Sequence, residues 1–180
     1  HGVNVNGMIG AVGNNGIGVS GINWNVKMMN VVYAGTEESS VIESYDYPLQ
    51  SRILYNNTNG SEGAFVVSVN SSWGIDYGKP ADAPIWCNFY DVMGAAGILN
   101  VAATSNSNIN VDVDGDLPTG CTSPFLISVG RTNNKDAYAA CGYGVVSIDL
   151  GAPGVNIVTT RSNNRYTTTT GTSFSSPLVA

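Results

Sequence analysis

The sequence predicts an α/β fold built on a mostly parallel central sheet flanked by helices. Three observations carry this. Short apolar runs recur along the chain without strict alternation, as strands covered on both faces do. Segments with apolar residues at helical spacing lie between them. The two kinds then succeed each other as strand, helix, strand, helix, strand, the order that crossover connections of a parallel sheet require.

The apolar runs are Val26 to Val32, Phe65 to Val69, Ile98 to Ala103, Phe125 to Val129 and Val145 to Leu150. Ser39 to Tyr55 separates the first two, with a cap at Ser39 or Ser40 and Ile42, Tyr45, Leu49 and Ile53 on one face. Ala83 to Ala96 separates the next two and ends at Gly97, a residue suited to the turn that closes a helix. Two stretches stay outside this scheme. Ser105 to Cys121 is rich in Asn, Asp and Gly, and Arg161 to Thr170 is dominated by Thr. Both follow strand regions, at the end where open α/β sheets place their ligand sites. No repeat or linker divides the chain, so residues 1–180 read as one domain.

Composition narrows the function. Only 11% of the 180 residues are charged and the formal net charge is −6, so no Lys/Arg cluster exists to replace phosphate counterions on a nucleic acid. No apolar run approaches the roughly 18 residues of a membrane span. The cysteines are Cys87, Cys121 and Cys141. A disulfide between Cys121 and Cys141 would close the loop around Phe125 to Val129 and fit an oxidising, extracellular setting; Cys87, beside Trp86, reads as a buried thiol.

The single histidine is His1, so an imidazole base in this chain must be that residue. Gly2, Val3, Val5, Gly7 and Ile9 after it suit a helix packed closely on a core. At the other end, Gly171-Thr172-Ser173 runs into Phe174-Ser175-Ser176-Pro177, a turn feeding a helix. Ser173 then stands in the first turn, where free N–H groups can meet an oxyanion. A hydroxyl needs a neighbouring base before it can attack, which pairs Ser173 with His1.

His1-Gly2-x-x-Val5-x-Gly7, with the glycine-rich Gly10 to Gly21 behind it, resembles the histidine block of the subtilisin-like serine proteases. Gly171-Thr172-Ser173-Phe174-Ser175-Ser176-Pro177-x-Val179-Ala180 resembles their serine block, with Phe174 for the common Met and Ser175 for the common Ala. Ser72-Trp73-Gly74, Val101-Ala102-Ala103-Thr104-Ser105-Asn106 and Ala152-Pro153-Gly154 are similar to three intervening blocks, in the family's order, with Ser105 where Gly is usual.

The resemblance implies a three-layer subtilisin-like fold, cut short at both ends, and a serine endopeptidase that works through an acyl-enzyme without a cofactor. It implies that His1 is the base, Ser173 the nucleophile and Asn106 an oxyanion donor. Ser72, Trp73, Gly74, Ala102, Ala103 and Thr104 would then line the substrate site. The substrate would be a protein or peptide, a pro-segment would precede the mature enzyme, and secretion would be its destination. With no acidic charge trap legible, a broad preference for apolar or aromatic side chains is expected. The family order Asp, His, Ser puts the orienting aspartate before His1, so the isolated chain is expected to be inactive. A homologue that has lost activity and serves as a binding or structural module is the rival. Asp112, Asp114 and Asp116, alternating around Gly115, offer oxygens for a structural calcium ion, with a solvated acidic turn as the alternative.

Overall fold

A computed structural model of the chain describes residues 1–32, 35 and 37–180. The elements are α1 (Gly2–Gly10), α2 (Glu38–Asn57), β1 (Ser68–Ser71), β2 (Ile75–Asp76), α3 (Pro84–Ala95), β3 (Leu99–Ala103), α4 (Val111–Asp114), β4 (Asp116–Leu117), β5 (Leu126–Thr132), β6 (Leu150–Pro153), β7 (Ile157–Arg161), β8 (Arg165–Thr169) and α5 (Ser176–Val179). Single 3₁₀ turns lie at Pro80–Asp82 and Thr172–Phe174. The main sheet runs β1-β3-β5-β6, and every pair in it is parallel. Ser71 pairs with Ala102. The chain therefore leaves β1 and β3 side by side, with Ser72 to Gly74 next to Ala103 to Asn106.

Three layers result. Helices α2 and α3 cover one face of the sheet, where Val41, Tyr45, Leu49, Trp86, Tyr90 and Met93 meet Ile98, Ala102 and Leu126. Each large side chain buried there contributes about 1.5–3 kcal/mol. On the other face Val101, Val129 and Ala152 form a smaller cluster against Val179 of α5, which in turn packs on α1. The helical stripe expected on α2 is present, with Val41 joining Tyr45 and Leu49 as its buried members. The cap differs from expectation: Glu37 holds that position, and Glu38 accepts from the backbone N–H of Trp86 at 2.7 Å. A carboxylate thus satisfies one of the free donors at the start of α3.

Helix α1 is held by the β7–β8 hairpin. Thr159 Oγ1 donates to the Asn4 carbonyl and Thr160 Oγ1 to the Val3 carbonyl, both at 2.7 Å. A Cβ on Gly7 would lie 2.2 Å from Thr160 Oγ1, so only glycine permits this approach.

Three expectations need correction. Val26 to Val32 forms no strand among the described residues: the edge strand β1 lies across a large cavity from it and pairs only with β3. Val145 to Leu150 is not a strand either; only Leu150 begins β6. The backbone N–H groups of Val145, Val146 and Ser147 instead donate to the Asp112 carboxylate, which wraps that segment into a turn and leaves Val145 and Val146 in solvent. The disulfide joins Cys87 to Cys121, not Cys121 to Cys141. Helix α3 carries Cys87 against the segment that follows β4, with the two Cα atoms 5.2 Å apart. Cys141 is a buried free thiol behind β5, where its sulfur accepts from the Arg131 N–H at 3.2 Å.

The bridge closes a sequence separation of 34 residues. Its removal by Cys87→Ser with Cys121→Ser is expected to lower unfolding free energy by about 3–4 kcal/mol. Denatured without reductant, the chain should present one reactive thiol, Cys141, to a thiol reagent; three would exclude the pairing.

Candidate active site

Ser173 sits in the 3₁₀ turn Thr172–Phe174, just before α5. Two contacts fix that turn. The Gly171 N–H donates to the Gly154 carbonyl at 2.9 Å, so Ala152-Pro153-Gly154 at the end of β6 supports it from below. A Cβ on Gly154 would lie 2.3 Å from Ser175 Oγ and 2.9 Å from the Gly171 carbonyl oxygen, which leaves no room for a side chain there. From the other side, Thr172 Oγ1 donates to the Thr104 carbonyl at 2.6 Å and the Thr172 N–H to Asn106 Oδ1 at 3.0 Å.

Asn106 Oδ1 also accepts from Arg131 Nη1 at 3.0 Å, with Thr172 Oγ1 3.3 Å away. Two N–H donors converging on one atom, from Thr172 and Arg131, identify it as the amide oxygen and leave the Nδ2 group as the end free to donate. Arg131 is itself locked, donating to the Ala139 and Ala140 carbonyls at 2.6 Å each. Nothing in the sequence pointed to Arg131, since a lone arginine at the end of a strand carries no pattern.

Ser72 is tied to the same turn. Its Oγ donates to the Ser173 carbonyl at 2.8 Å, and Asn70 Nδ2 donates to that Oγ at 2.9 Å. The Ser173 hydroxyl donates to the Ser72 carbonyl at 3.1 Å. His1 precedes α1, its side chain makes no cap hydrogen bond, and its ring lies 5.8 Å from that of Phe174, the residue after Ser173. His1 and Ser173 are thus brought to one region, with the hydroxyl turned to Ser72 and no hydrogen bond between the pair among the described residues.

A cavity of about 140 Å³ opens beside Ser173 and is lined by Trp73, Gly74, Ala103, Thr104 and Asn106. Six residues expected at the site therefore share one space. Trp73 also stacks between Tyr45 and Trp86, at ring distances of 6.1 and 5.4 Å, so it is a wall of the cavity and an edge of the core together. Ser72 and His1 line a larger adjoining cavity of about 890 Å³, which Trp73 also borders. Ala102 does not reach either space. Strand alternation sends it to the opposite face, into the core under α3, where it is 1% exposed.

The three aspartates do not converge. Asp112 accepts from the backbone N–H groups of Val145, Val146 and Ser147, and the Ser147 side chain first, then these backbone bonds, hold its carboxyl below the usual range. Asp114 accepts from the Asn110 N–H at 2.9 Å. Asp116 turns inward to Thr104, Ser105 and Thr119. Each is consumed by a different stretch of backbone, and no group of three or more His, Cys, Asp or Glu among the described residues is arranged to hold a metal ion. As placed, the three carboxylates each serve their own stretch of backbone and do not share one cluster.

Asp116 has a further position: it lines the cavity beside Ser173, as does Asp76. The two are direct partners in the antiparallel β2–β4 pair. Burial pushes the Asp116 carboxyl up to about 6, against hydrogen bonds from Thr119, Ser105 and Thr104 that favour its charge, and the Asp76 charge raises it further.

The subtilase family model matches residues 1–180. An alkaline protease of Alkalihalobacillus alcalophilus is 28% identical over 183 residues, a match that spans 100% of this chain and 42% of the relative. Subtilisin Savinase of Lederbergia lenta is likewise 28% identical, over 100% of this chain and 60% of its own length. Among solved structures, a cold adapted subtilisin-like serine proteinase aligns with a TM-score of 0.74 at 24% identity, covering 99% of this chain and 57% of the other. A protease of Pseudoalteromonas arctica aligns at 0.76 and 24%, covering 100% and 56%. At that identity the structural likeness speaks for the fold. The chain spans about half the length of the relatives it matches.

The Asp116 shift has a consequence for stability with a definite sign. Its carboxyl binds a proton more tightly folded than unfolded, so the folded chain holds the extra proton between about pH 4 and pH 6. Stability from this group is therefore present at low pH and falls as pH rises through that window. Wild type should lose about 3 kcal/mol relative to Asp116→Asn on going from about pH 4 to pH 7. Urea unfolding of both proteins across that range measures it; a constant difference would contradict the shift.

Proposed function

Since this chain belongs to the subtilase family, we propose that Ser173, His1 and Asn106 are parts of a serine endopeptidase centre in the full-length protein. The observation that carries the reading is the clamp on Asn106. With Oδ1 taken by Thr172 and Arg131, the amide N–H groups are left for a ligand at the cavity that Ser173 also lines. A neutral side chain fixed in that way is a preorganised donor for an oxyanion.

The chemistry follows from the groups. Ser173 Oγ rotates away from the Ser72 carbonyl and passes its proton to the imidazole of His1 as the oxygen attacks the peptide carbonyl carbon. The carbonyl oxygen becomes an oxyanion, held by Asn106 Nδ2 and the Ser173 N–H. Collapse expels the amine, which takes the proton back from His1, and leaves an acyl-enzyme. Water then attacks it by the same steps in reverse, with His1 as base and Ser173 as leaving group.

Protein or peptide substrates are proposed to lie along Ser72 to Gly74 and Ala103 to Thr104, where two chain segments leaving β1 and β3 offer backbone groups to an extended peptide. The apolar parts of Trp73 and Ala103 support acceptance of the hydrocarbon portion of a substrate side chain. Secretion is supported by the Cys87–Cys121 bridge, which belongs to an oxidising compartment. Among the described residues no helix is long and apolar enough to cross a membrane.

In protein expressed from the full coding sequence, Ser173→Ala should abolish peptide hydrolysis and labelling by a fluorophosphonate. Asn106→Ala should reduce kcat by about 10²–10³-fold with little change in KM, a size carried over from the corresponding donor in subtilisin. Labelling that survives Ser173→Ala, or an Asn106→Ala loss below about fivefold, would overturn the assignment. A wild-type protein that neither hydrolyses peptides nor takes the label would favour the non-catalytic binding module.

A further inference from the structure

The cavity beside Ser173 is lined mainly by polar groups, with Trp73 and Ala103 as its apolar surfaces and two carboxylates among the rest. Trp73 and Gly74 stand on one side, Ala103 and Thr104 on the other. The floor is Asp116, 1% exposed, and Asp76 stands on the exposed side of the same cavity. Both carboxylates arise from one piece of structure. Strands β2 and β4 are two residues each and pair Asp76 directly with Asp116, so the two side chains share a face.

Like charges placed directly opposite in a ladder destabilise it, and a buried carboxylate without a cation is costlier still. Neighbouring cations do not relieve the pair. Lys79 donates to the Val113 carbonyl, and Arg131 is spent on Ala139, Ala140 and Asn106. The three hydrogen bonds to Asp116, from Thr104, Ser105 and Thr119, all end on Oδ2. They fix the carboxylate in place and leave Oδ1 unused by them. Asp76 makes one weak contact, accepting from Ser107 Oγ at 3.3 Å.

A fixed, inward carboxylate behind partly apolar walls, next to a nucleophile, has a natural complement: a long alkyl stem ending in a cation. On the endopeptidase reading of the site, we propose that this cavity receives the side chain preceding the scissile bond and selects lysine or arginine, with Asp116 as the principal specificity-determining residue and Asp76 as a secondary one. This is an alternative to the broad apolar or aromatic preference expected from sequence. That expectation rested on the lack of a visible acidic pair, and the pair exists only through the β2–β4 register. Alkyl stems of basic side chains use the same walls an apolar residue would use, while the charged end pairs with the floor.

The test uses the full-length protein and peptide anilides that differ only in the residue before the scissile bond. Wild type should cleave after Arg or Lys with kcat/KM at least about tenfold above Leu or Phe. Asp116→Asn should lower the Arg-to-Leu ratio by about 30-fold, and Asp76→Asn by about threefold. A wild-type preference for Leu or Phe overturns the proposal whether or not the variants fold, and so does an Asp116→Asn ratio equal to wild type. Fluorescent p-aminobenzamidine, a planar cation, separates this proposal from the endopeptidase reading. If no peptide is cleaved and a fluorophosphonate fails to label Ser173, the catalytic reading has failed. Saturable amidine binding that Asp116→Asn weakens at least about tenfold would still uphold a cation-selective cavity, and its absence would overturn it.

Discussion

Thr172 is the point on which the site depends. It is 1% exposed, and its hydroxyl and N–H join the end of β3 to the turn that carries Ser173 across a sequence separation of more than 60 residues. A buried hydroxyl and a buried amide must find partners or cost about 1–3 kcal/mol each, so this junction can close in few ways. Closing it sets the Ser173 turn against Thr104 and orients Asn106 by taking its oxygen. Ser72 adds a reciprocal tie, giving its hydroxyl to the Ser173 carbonyl and receiving the Ser173 hydroxyl at its own carbonyl. Thus the ends of β1 and β3 and the start of α5 become one rigid unit before any substrate arrives.

That unit rests on a buried polar relay. Trp86 Nε1 donates to Tyr90 Oη at 2.8 Å, the Tyr90 and Tyr45 hydroxyls lie 3.0 Å apart, and Tyr45 Oη meets Ser71 Oγ at 2.7 Å. Burial drives the Tyr90 hydroxyl well above its ordinary range, so it stays neutral within the relay. The relay runs from α3 through α2 to the last residue of β1, next to Ser72. Trp73 stacks on Tyr45 and Trp86 at the same place. Packing of the two covering helices is therefore felt directly in the wall of the cavity, and a change of side-chain volume in that aromatic cluster would shift the wall before it loosened the sheet.

The parts legible in the sequence are those with a local period or a contiguous motif. The middle strands, α2 and α3 follow from runs and spacing, and the Ser173 turn, Asn106 and Trp73-Gly74 follow from contiguous blocks. What sequence could not supply is pairing at a distance. Val145 and Val146 look like a strand because they are apolar, yet a single carboxylate, Asp112, captures their N–H groups and turns the chain. Cys121 has two partners within reach by spacing alone, and the choice of Cys87 depends on which face of α3 meets the segment after β4. Ala102 falls one position out of the cavity because strand parity, not motif membership, decides which way a side chain points. Arg131 orients Asn106 from a strand that no motif touches.

The Asp76–Asp116 pair is the extreme case of that limit, and it also says something about the economy of the fold. Two residues in each of β2 and β4 contribute little ladder energy, yet they hold two carboxylates opposite one another at a cavity. A sequence selected only for stability would place an opposite charge or an apolar residue at one of these positions, since the present pair opposes both burial and its neighbour. Thr104, Ser105 and Thr119 offset that cost only at Oδ2, the first two from the segment that leads into Asn106. Local rules are broken here, and in folded proteins such violations gather at the places where ligands bind. Thr104 ties the acid to the amide: its hydroxyl donates to Asp116, and its carbonyl accepts from the hydroxyl of Thr172, the residue whose N–H orients Asn106.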